Sequence, residues 1–470
     1  MEVESADELP DLLRSAAIRA AEYRRRLADA AVFPTNLDVN LLRSALGPLP
    51  DAPTPAGRVV TQLADTIEPA LVASAGPRYF GFVTGGALDA ATAADILAAG
   101  WDQNAFNADT SPAAAIVEDV AGAWLKDLLG LPPDASFGLV TGGQAANTVC
   151  LTIARHRVLA SAGWNVERRG LAGGPRVRVV ANAERHATID RALRLLGFGT
   201  DILEPAGTDA NGAIDVNDLA RVLAHGPAGP TIVCLQAGNV NTGACDDLGA
   251  AVEVGRRHDA WVHVDGAFGL WAAASPAQRH LVAGAGQADS WATDGHKWLN
   301  VPYDCGYAFC AHAEDHAAAM SLTASYLAGQ GERGLRAPGD YVAESSRRAR
   351  GFATWAAIRR LGRSGVADLV ERCCALARGF ADRLAAEDGV VIGNDVVLNQ
   401  VLARFGDSDD TTDRVVGAVQ RSGECWMGGT SWRGRRFMRI SVSNYRTTAT
   451  DVDRSAAAVI AAHRGALRRR

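Results

Sequence analysis

Apolar residues recur at helical spacing among Arg, Asp and Glu over residues 8–30, which predicts one amphipathic helix ending before Phe33-Pro34. Prolines at Pro48, Pro50, Pro53 and Pro55 interrupt the chain, and a second helical stretch is predicted over 60–73. This opening region lacks core-forming strands, so its apolar stripes are expected to pack on something else, such as a second subunit. From about residue 80 the period changes. Helical spacing over 113–129 leads into Ser136-Phe137-Gly138-Leu139-Val140, a short strand, then Thr141-Gly142-Gly143 and a helix over 144–160. β-rich runs follow at 177–181, 231–235 and 261–264, with helical segments between them, and 306–310 is a further candidate strand. Strands alternating with helices predict an α/β fold whose largely parallel sheet is covered on both faces. Ligands in such sheets bind beyond the carboxyl ends of the strands.

After about residue 352 helical spacing returns through 366–386. Short strands near 390–392, 400–405 and 436–442 and a last helix over 451–463 complete a small α+β domain. The expected division is 1–80 as an N-terminal helical segment, 81–352 as the large domain and 353–470 as the small one.

Composition narrows the classes. The chain has 470 residues, 48% hydrophobic and 21% charged, enough to bury a substantial core. A net charge of −6 with no basic face argues against nucleic acid as the main partner. No uninterrupted apolar stretch is long enough to span a bilayer, and the acidic start Met1-Glu2-Val3-Glu4 lacks a secretory pattern. The eight cysteines show no paired zinc spacing and are too sparse for a disulfide scaffold, so no metal site is expected. A cytoplasmic enzyme is the expectation, its cysteines being small buried thiols in a reducing compartment.

The most informative chemistry lies in Trp261-Val-His-Val-Asp265-Gly-Ala267 and Asp289-Ser-Trp-Ala-Thr-Asp294-Gly-His296-Lys297-Trp298. A buried strand ending in a carboxylate puts Asp265 at the ligand edge, and one lysine arrives in a loop beside His296. A pyridoxal cofactor needs this pair: an amine to hold its aldehyde and an anion to keep its ring nitrogen protonated. Taken singly, Asp265 reads as a turn cap and Lys297 as a surface lysine; it is the combination that points to the cofactor. Thr141-Gly142-Gly143-Gln144, between strand and helix, presents free N–H groups and a positive dipole suited to phosphate, although an ordinary strand-to-helix turn also needs such glycines. His186, in Glu184-Arg185-His186-Ala187-Thr188, can stack on a pyridine ring; spacing alone favours a structural histidine.

With these residues in view, the chain resembles the pyridoxal-dependent group II amino-acid decarboxylases, from about Tyr79 to Asp453. The blocks that carry the resemblance are His263-Val-Asp265-Gly-Ala267, Gly295-His296-Lys297-Trp298-Leu-Asn-Val-Pro-Tyr-Asp304-Cys305, and the Gly-Gly turn with its helix. It implies the aspartate-aminotransferase-like fold (fold type I), with a seven-stranded mostly parallel sheet, a small C-terminal α+β domain and a homodimer with sites at the interface. It also implies pyridoxal 5'-phosphate as cofactor, Lys297 as its Schiff-base lysine and Asp265 as the pyridinium partner. Ala267 falls beneath the ring, His186 on its face, Gly143 and Gln144 on the phosphate turn, and His296 before the lysine. Tyr326, in Ser325-Tyr326-Leu327, resembles the loop tyrosine that returns a proton to Cα. Some positions depart from the family. Gln144 replaces Ser or Thr, Asp294 replaces an Asn near the phosphate, Asn239 occupies a position that often contacts the cofactor, and Ala115 replaces a threonine near the substrate.

The expected activity is decarboxylation of an L-amino acid to its amine, in amino-acid metabolism. Tyr79, Phe80, Trp101 and Phe106 are candidate pocket residues for an apolar or aromatic side chain. The alternatives are transamination, carbon–carbon lysis or decarboxylating aldehyde synthesis on the same cofactor, with Arg439 then able to grip a carboxylate, although Arg439 reads first as a structural arginine of the small domain; in a different class stands a non-catalytic scaffold.

Overall fold

Five-residue runs of side chains buried on both faces build the larger of two sheets. The computed structural model describes residues 8–34, 37–322 and 334–468. Its strands are β1 (Ser136–Val140), β2 (Arg178–Asn182), β3 (Leu203–Ala206), β4 (Thr231–Gln236), β5 (Trp261–Asp265), β6 (Ser290–Asp294) and β7 (Gly306–Cys310). They lie side by side in the order β1-β7-β6-β5-β4-β2-β3, and only β7 runs antiparallel to its neighbours. A second, antiparallel sheet has the order β10-β11-β9-β8, from β8 (Val390–Ile392), β9 (Gln400–Phe405), β10 (Gly428–Trp432) and β11 (Arg435–Ser441).

Alternation along the central strands divides the core. Val233, Leu235, Val262 and Val264 belong to one apolar cluster, whereas Ile232, Cys234 and Trp261 belong to another that includes the helix Gly143–Ser161. Trp261, His263 and Asp265 therefore share the face that this helix covers. Trp291 of β6 is wholly buried and donates its indole N–H to the Ala285 carbonyl at 2.7 Å. A side chain so buried contributes about 1.5–3 kcal/mol.

Three strands were not anticipated from the pattern: β3, β6 and β10. β3 is a half-exposed edge strand containing Pro205, β6 is mostly small and polar, and β10 carries two glycines. The helix predicted over 366–386 is the second part of Gly351–Ala385, broken at Gly362, where φ is 61°. Its first part packs by Phe352 on Trp101 and by Trp355 on Trp124, so the boundary drawn at 352 falls where a helix ties both regions together. In the N-terminal segment, the helices Leu9–Arg26, Val39–Leu46 and Ala56–Ile67 contain no fully buried residue. Among the described residues no helix is long and apolar enough to cross a membrane, and no group of three His, Cys, Asp or Glu side chains is placed to hold a metal ion. All eight cysteines are free, and all but Cys245 are buried.

Candidate active site

The carboxyl ends of β1, β5 and β6 meet around one cavity of ≈ 300 Å³, at the small end of the range for small-molecule sites. Its lining includes Gly143, Gln144, His186, Ala267, Asp294, His296 and Lys297, all singled out from the sequence. Backbone packing makes the cradle. A Cβ on Gly306 would strike the backbone of Gly142, and a Cβ on Gly85 would collide with the Lys297 carbonyl oxygen. The turn from β1 and the lysine loop can approach their neighbours only because those positions carry no side chain.

Gly143 opens the helix Gly143–Ser161, and the first turn, including Gln144 and Ala145, lines the cavity. Amides of a first helical turn have no intrahelical partner and attract an anion. The Gly143 N–H is taken by Asp294 Oδ1 at 2.5 Å. Asp294 Oδ2 pairs with Lys297 Nζ at 2.8 Å, and Asp294 is only 1% exposed. The carboxylate that stands where an Asn was expected is thus neutralised by a cation and capped on a helix terminus. His296 accepts the Cys305 N–H on Nδ1 at 3.1 Å and turns Nε2 toward Asp294, 3.5 Å away; burial lowers its pKa below the usual histidine value. The Tyr303 ring lies against it at 4.4 Å.

Asp265, the last residue of β5, sits just behind the lining at 4% exposure. Its Oδ2 accepts from Asn147 Nδ2 at 3.0 Å and from Thr188 Oγ1 at 3.4 Å, and its Oδ1 accepts from the Ala267 N–H at 3.2 Å. Asn147 and Thr188 line the same cavity as Lys297, so the two expected partners of a pyridoxal ring are joined by one pocket. His186 caps the helix Ala187–Leu195, accepting the Thr188 N–H on Nδ1 at 3.3 Å. Burial lowers its pKa despite the nearby Asp265 carboxylate. A neutral imidazole over the cavity, an amine, a carboxylate behind the wall and a helix terminus match the aldehyde, ring nitrogen and phosphate of pyridoxal phosphate.

Asn239 does not join them. Its amide donates to the Glu184 carbonyl at 3.0 Å and its oxygen caps Asn241 and Thr242, so the side chain is spent on its own turn and on the loop after β2. Phe80 is a core residue, edge-on to Phe380, and Trp101 is half exposed against Phe352. Of the aromatic candidates, Tyr79 stacks on Trp426 at 5.1 Å, and Phe82 stacks on the same indole at 5.7 Å. Tyr326 lies outside the described residues. Sequence reasoning missed Asn147, Thr188 and the role of His263. Their signal was faint: a polar side chain one helical turn into an apolar helix, and a histidine two residues before the strand-end aspartate. Arg439, considered as a carboxylate clamp, is largely desolvated, which lowers its pKa. It donates to the Val240 carbonyl at 3.2 Å, forms no ion pair among the described residues, and lies near enough to His186 for its charge to oppose protonation there.

The profile described as the pyridoxal-dependent decarboxylase conserved domain matches residues 41–405. Tryptophan decarboxylase 1 of Oryza sativa subsp. japonica is 27% identical over 470 residues, covering 94% of this chain and 90% of that protein. Acidic amino acid decarboxylase GADL1 of Mus musculus is 29% identical over 320 residues, 67% of this chain and 57% of that protein. Among solved structures, Oryza sativa TDC with PLP and tryptamine superposes with a TM-score of 0.91 at 24% identity, covering 99% of each chain. Rhodiola rosea 4-hydroxyphenylacetaldehyde synthase does so with a TM-score of 0.86 at 21% identity, over 98% of this chain and 99% of that one.

Proposed function

The chain belongs to the pyridoxal-dependent decarboxylase family, and on that premise we propose that it removes carbon dioxide from an aromatic or apolar L-amino acid, with Lys297 holding the cofactor. The class of activity is that of a pyridoxal-phosphate-dependent amino-acid decarboxylase; the substrate and the residue roles are our reading. The observation that carries the roles is the convergence of Lys297, the Gly143 turn and the two residues gripping Asp265 on one cavity.

Lys297 would hold the aldehyde carbon and later receive it back. The Gln144 amide and the helix terminus that opens at Gly143 would hold the phosphate beside Asp294, which already occupies the Gly143 N–H; Ala267 would leave room beneath the ring, and His186 would limit its tilt. Asp294 and His296 would orient the lysine. Asp265 would hold a proton at the ring nitrogen. When bound, pyridoxal phosphate supplies an electron-poor ring into which the electron pair of the breaking carbon–carboxyl bond can pass. Arg439, desolvated and without a carboxylate partner among the described residues, would receive the substrate carboxylate and fix its direction. Tyr326 would return the proton to Cα. Tyr79, stacked with Phe82 on the Trp426 indole, would receive an aromatic or apolar side chain.

We assign 1–80 to a dimer contact, 81–352 to the cofactor-binding domain and 353–470 to the small domain. Leu41 at 69% exposure and Leu49 at 93% are apolar surface that a second copy would cover, which supports a homodimer. Free buried thiols support a cytoplasmic setting. A panel of L-amino acids scored for carbon dioxide and primary amine tests the substrate. Tryptophan, tyrosine or phenylalanine is expected to turn over fastest. Turnover of glutamate or aspartate alone rejects the aromatic reading, and aldehyde as main product rejects simple decarboxylation. Light scattering of the eluting protein tests the dimer.

A further inference from the structure

Behind the wall that carries Asp265 runs a line of buried polar side chains to which neither sequence nor family resemblance assigned a role. Asn147 and His263 are both fully buried. Asn147 Nδ2 lies 3.0 Å from Asp265 Oδ2 and 3.0 Å from Thr188 Oγ1. An ionised carboxylate only accepts, so the amide must turn its NH₂ toward Asp265 and its oxygen away. That oxygen lies 2.9 Å from His263 Nε2, which must therefore carry the proton. His263 Nδ1 is then an acceptor, 3.0 Å from Ser290 Oγ, whose hydroxyl accepts the indole N–H of Trp261 at 2.9 Å. Every donor and acceptor from Trp261 to Asp265 thus has one consistent direction. The line lies on the face of β5 that the helix Gly143–Ser161 covers, because Trp261, His263 and Asp265 alternate onto it.

We propose that Asn147 and His263 are positioning residues that lock the Asp265 carboxylate turned toward the ring nitrogen. The proposal rests on Asp265 being the ring-nitrogen partner. Oδ2 is saturated by Asn147 and Thr188, which leaves Oδ1, already aligned by the Ala267 N–H, for the ring. Were His263 to lose its donor, the Asn147 amide would be free to flip. A carbonyl oxygen would then face the carboxylate, and their repulsion would turn Asp265 away from the ring nitrogen, where it can no longer hold the ring proton. Burial pushes the His263 pKa down to about 4, so at neutral pH it lends direction without charge.

The experiment uses holoenzyme loaded with pyridoxal phosphate labelled with nitrogen-15 in the ring, whose chemical shift follows ring protonation. Wild-type protein is expected to show the protonated shift and Asp265→Ala to lose it; failure of either overturns the assignment of Asp265 itself. With both satisfied, Asn147→Leu and His263→Leu are expected to move the signal toward the unprotonated ring. They should also lose cofactor about tenfold to a hundredfold faster on dilution. His263→Gln, whose amide nitrogen reaches as far as Nε2, is expected to restore both readings. Wild-type shift and retention in the two Leu variants, or a Gln variant no better than His263→Leu, overturns the positioning role and leaves Asp265 standing. Should the Leu variants not fold, His263→Asn, too short to reach Asn147, takes their place against His263→Gln, with the same two outcomes.

Discussion

Two neighbouring strands of the large sheet end in aspartates that the backbone treats alike, Asp265 on β5 and Asp294 on β6. Both are almost fully buried, at 4% and 1% exposure. Their surroundings divide them. Asp265 is held by neutral donors only: Asn147, Thr188 and a backbone amide. Asp294 is paired with the Lys297 ammonium and caps a helix terminus. A buried carboxylate with a cation of its own is electrostatically satisfied, whereas one ringed by neutral dipoles still has charge to offer an incoming cation such as a pyridinium. Strand position puts a carboxylate at the ligand edge; its neighbours decide whether it serves the protein or the ligand.

The sharpest test removes the group that the two aspartates flank. Lys297→Ala is expected to lower carbon dioxide release by at least about a thousandfold. Borohydride reduction of the cofactor-loaded protein should fix a mass increase on the wild-type chain and none on the variant, while folding is retained. Asp265→Ala comes next, with an expected loss of roughly 10²–10³ in kcat. Asp265→Glu should recover little, because one added methylene displaces the carboxylate from its donors. Equal, mild effects at 265 and 294 would erase the distinction drawn between them.

Acid should strike the neutral side of the pair harder. His263 has a folded pKa of about 4 against an ordinary 6.5, so the unfolded chain binds the proton first and stability rises with pH across that window. It is lost as pH falls from about 6.5 to about 4, by roughly 3 kcal/mol for this one group. His316, pushed down to about 3 by burial, titrates in an overlapping range, so the informative quantity is the difference between wild-type and His263→Gln melting curves. The variant is expected to show the shallower slope; parallel curves would reject the assignment. The smallest effect belongs to Asp294→Asn. Removing the anion that holds Lys297 Nζ and the Gly143 N–H frees both for the incoming cofactor, and loading of cofactor-free protein should speed up several-fold, read from absorbance.

The sheet, its ligand edge and the Lys297 loop were legible because each depends on a local pattern: apolar runs of five residues, a terminal carboxylate, a glycine turn. β6 was missed although it delivers Asp294, because Ser-Trp-Ala-Thr-Asp has too few apolar residues to announce a strand. For Asn239 the chain says nothing about where a loop amide will spend its hydrogen bonds, and here they go to its own turn and to the Glu184 carbonyl. Asn147 and Thr188 were invisible for the converse reason. They meet Asp265 only once the fold has brought residues 118 and 77 positions apart into contact.

The glycines packed against the cradle have a consequence for anyone who surveys this protein by random mutagenesis. In a survival screen, lesions at Gly85 and Gly306 should score as null alleles alongside Lys297, although neither contributes an atom to the reaction. Only a colour assay on purified protein would sort them: a lysine lesion leaves a shaped but chemically mute cavity, whereas a bulkier residue at either glycine leaves no cavity to fill.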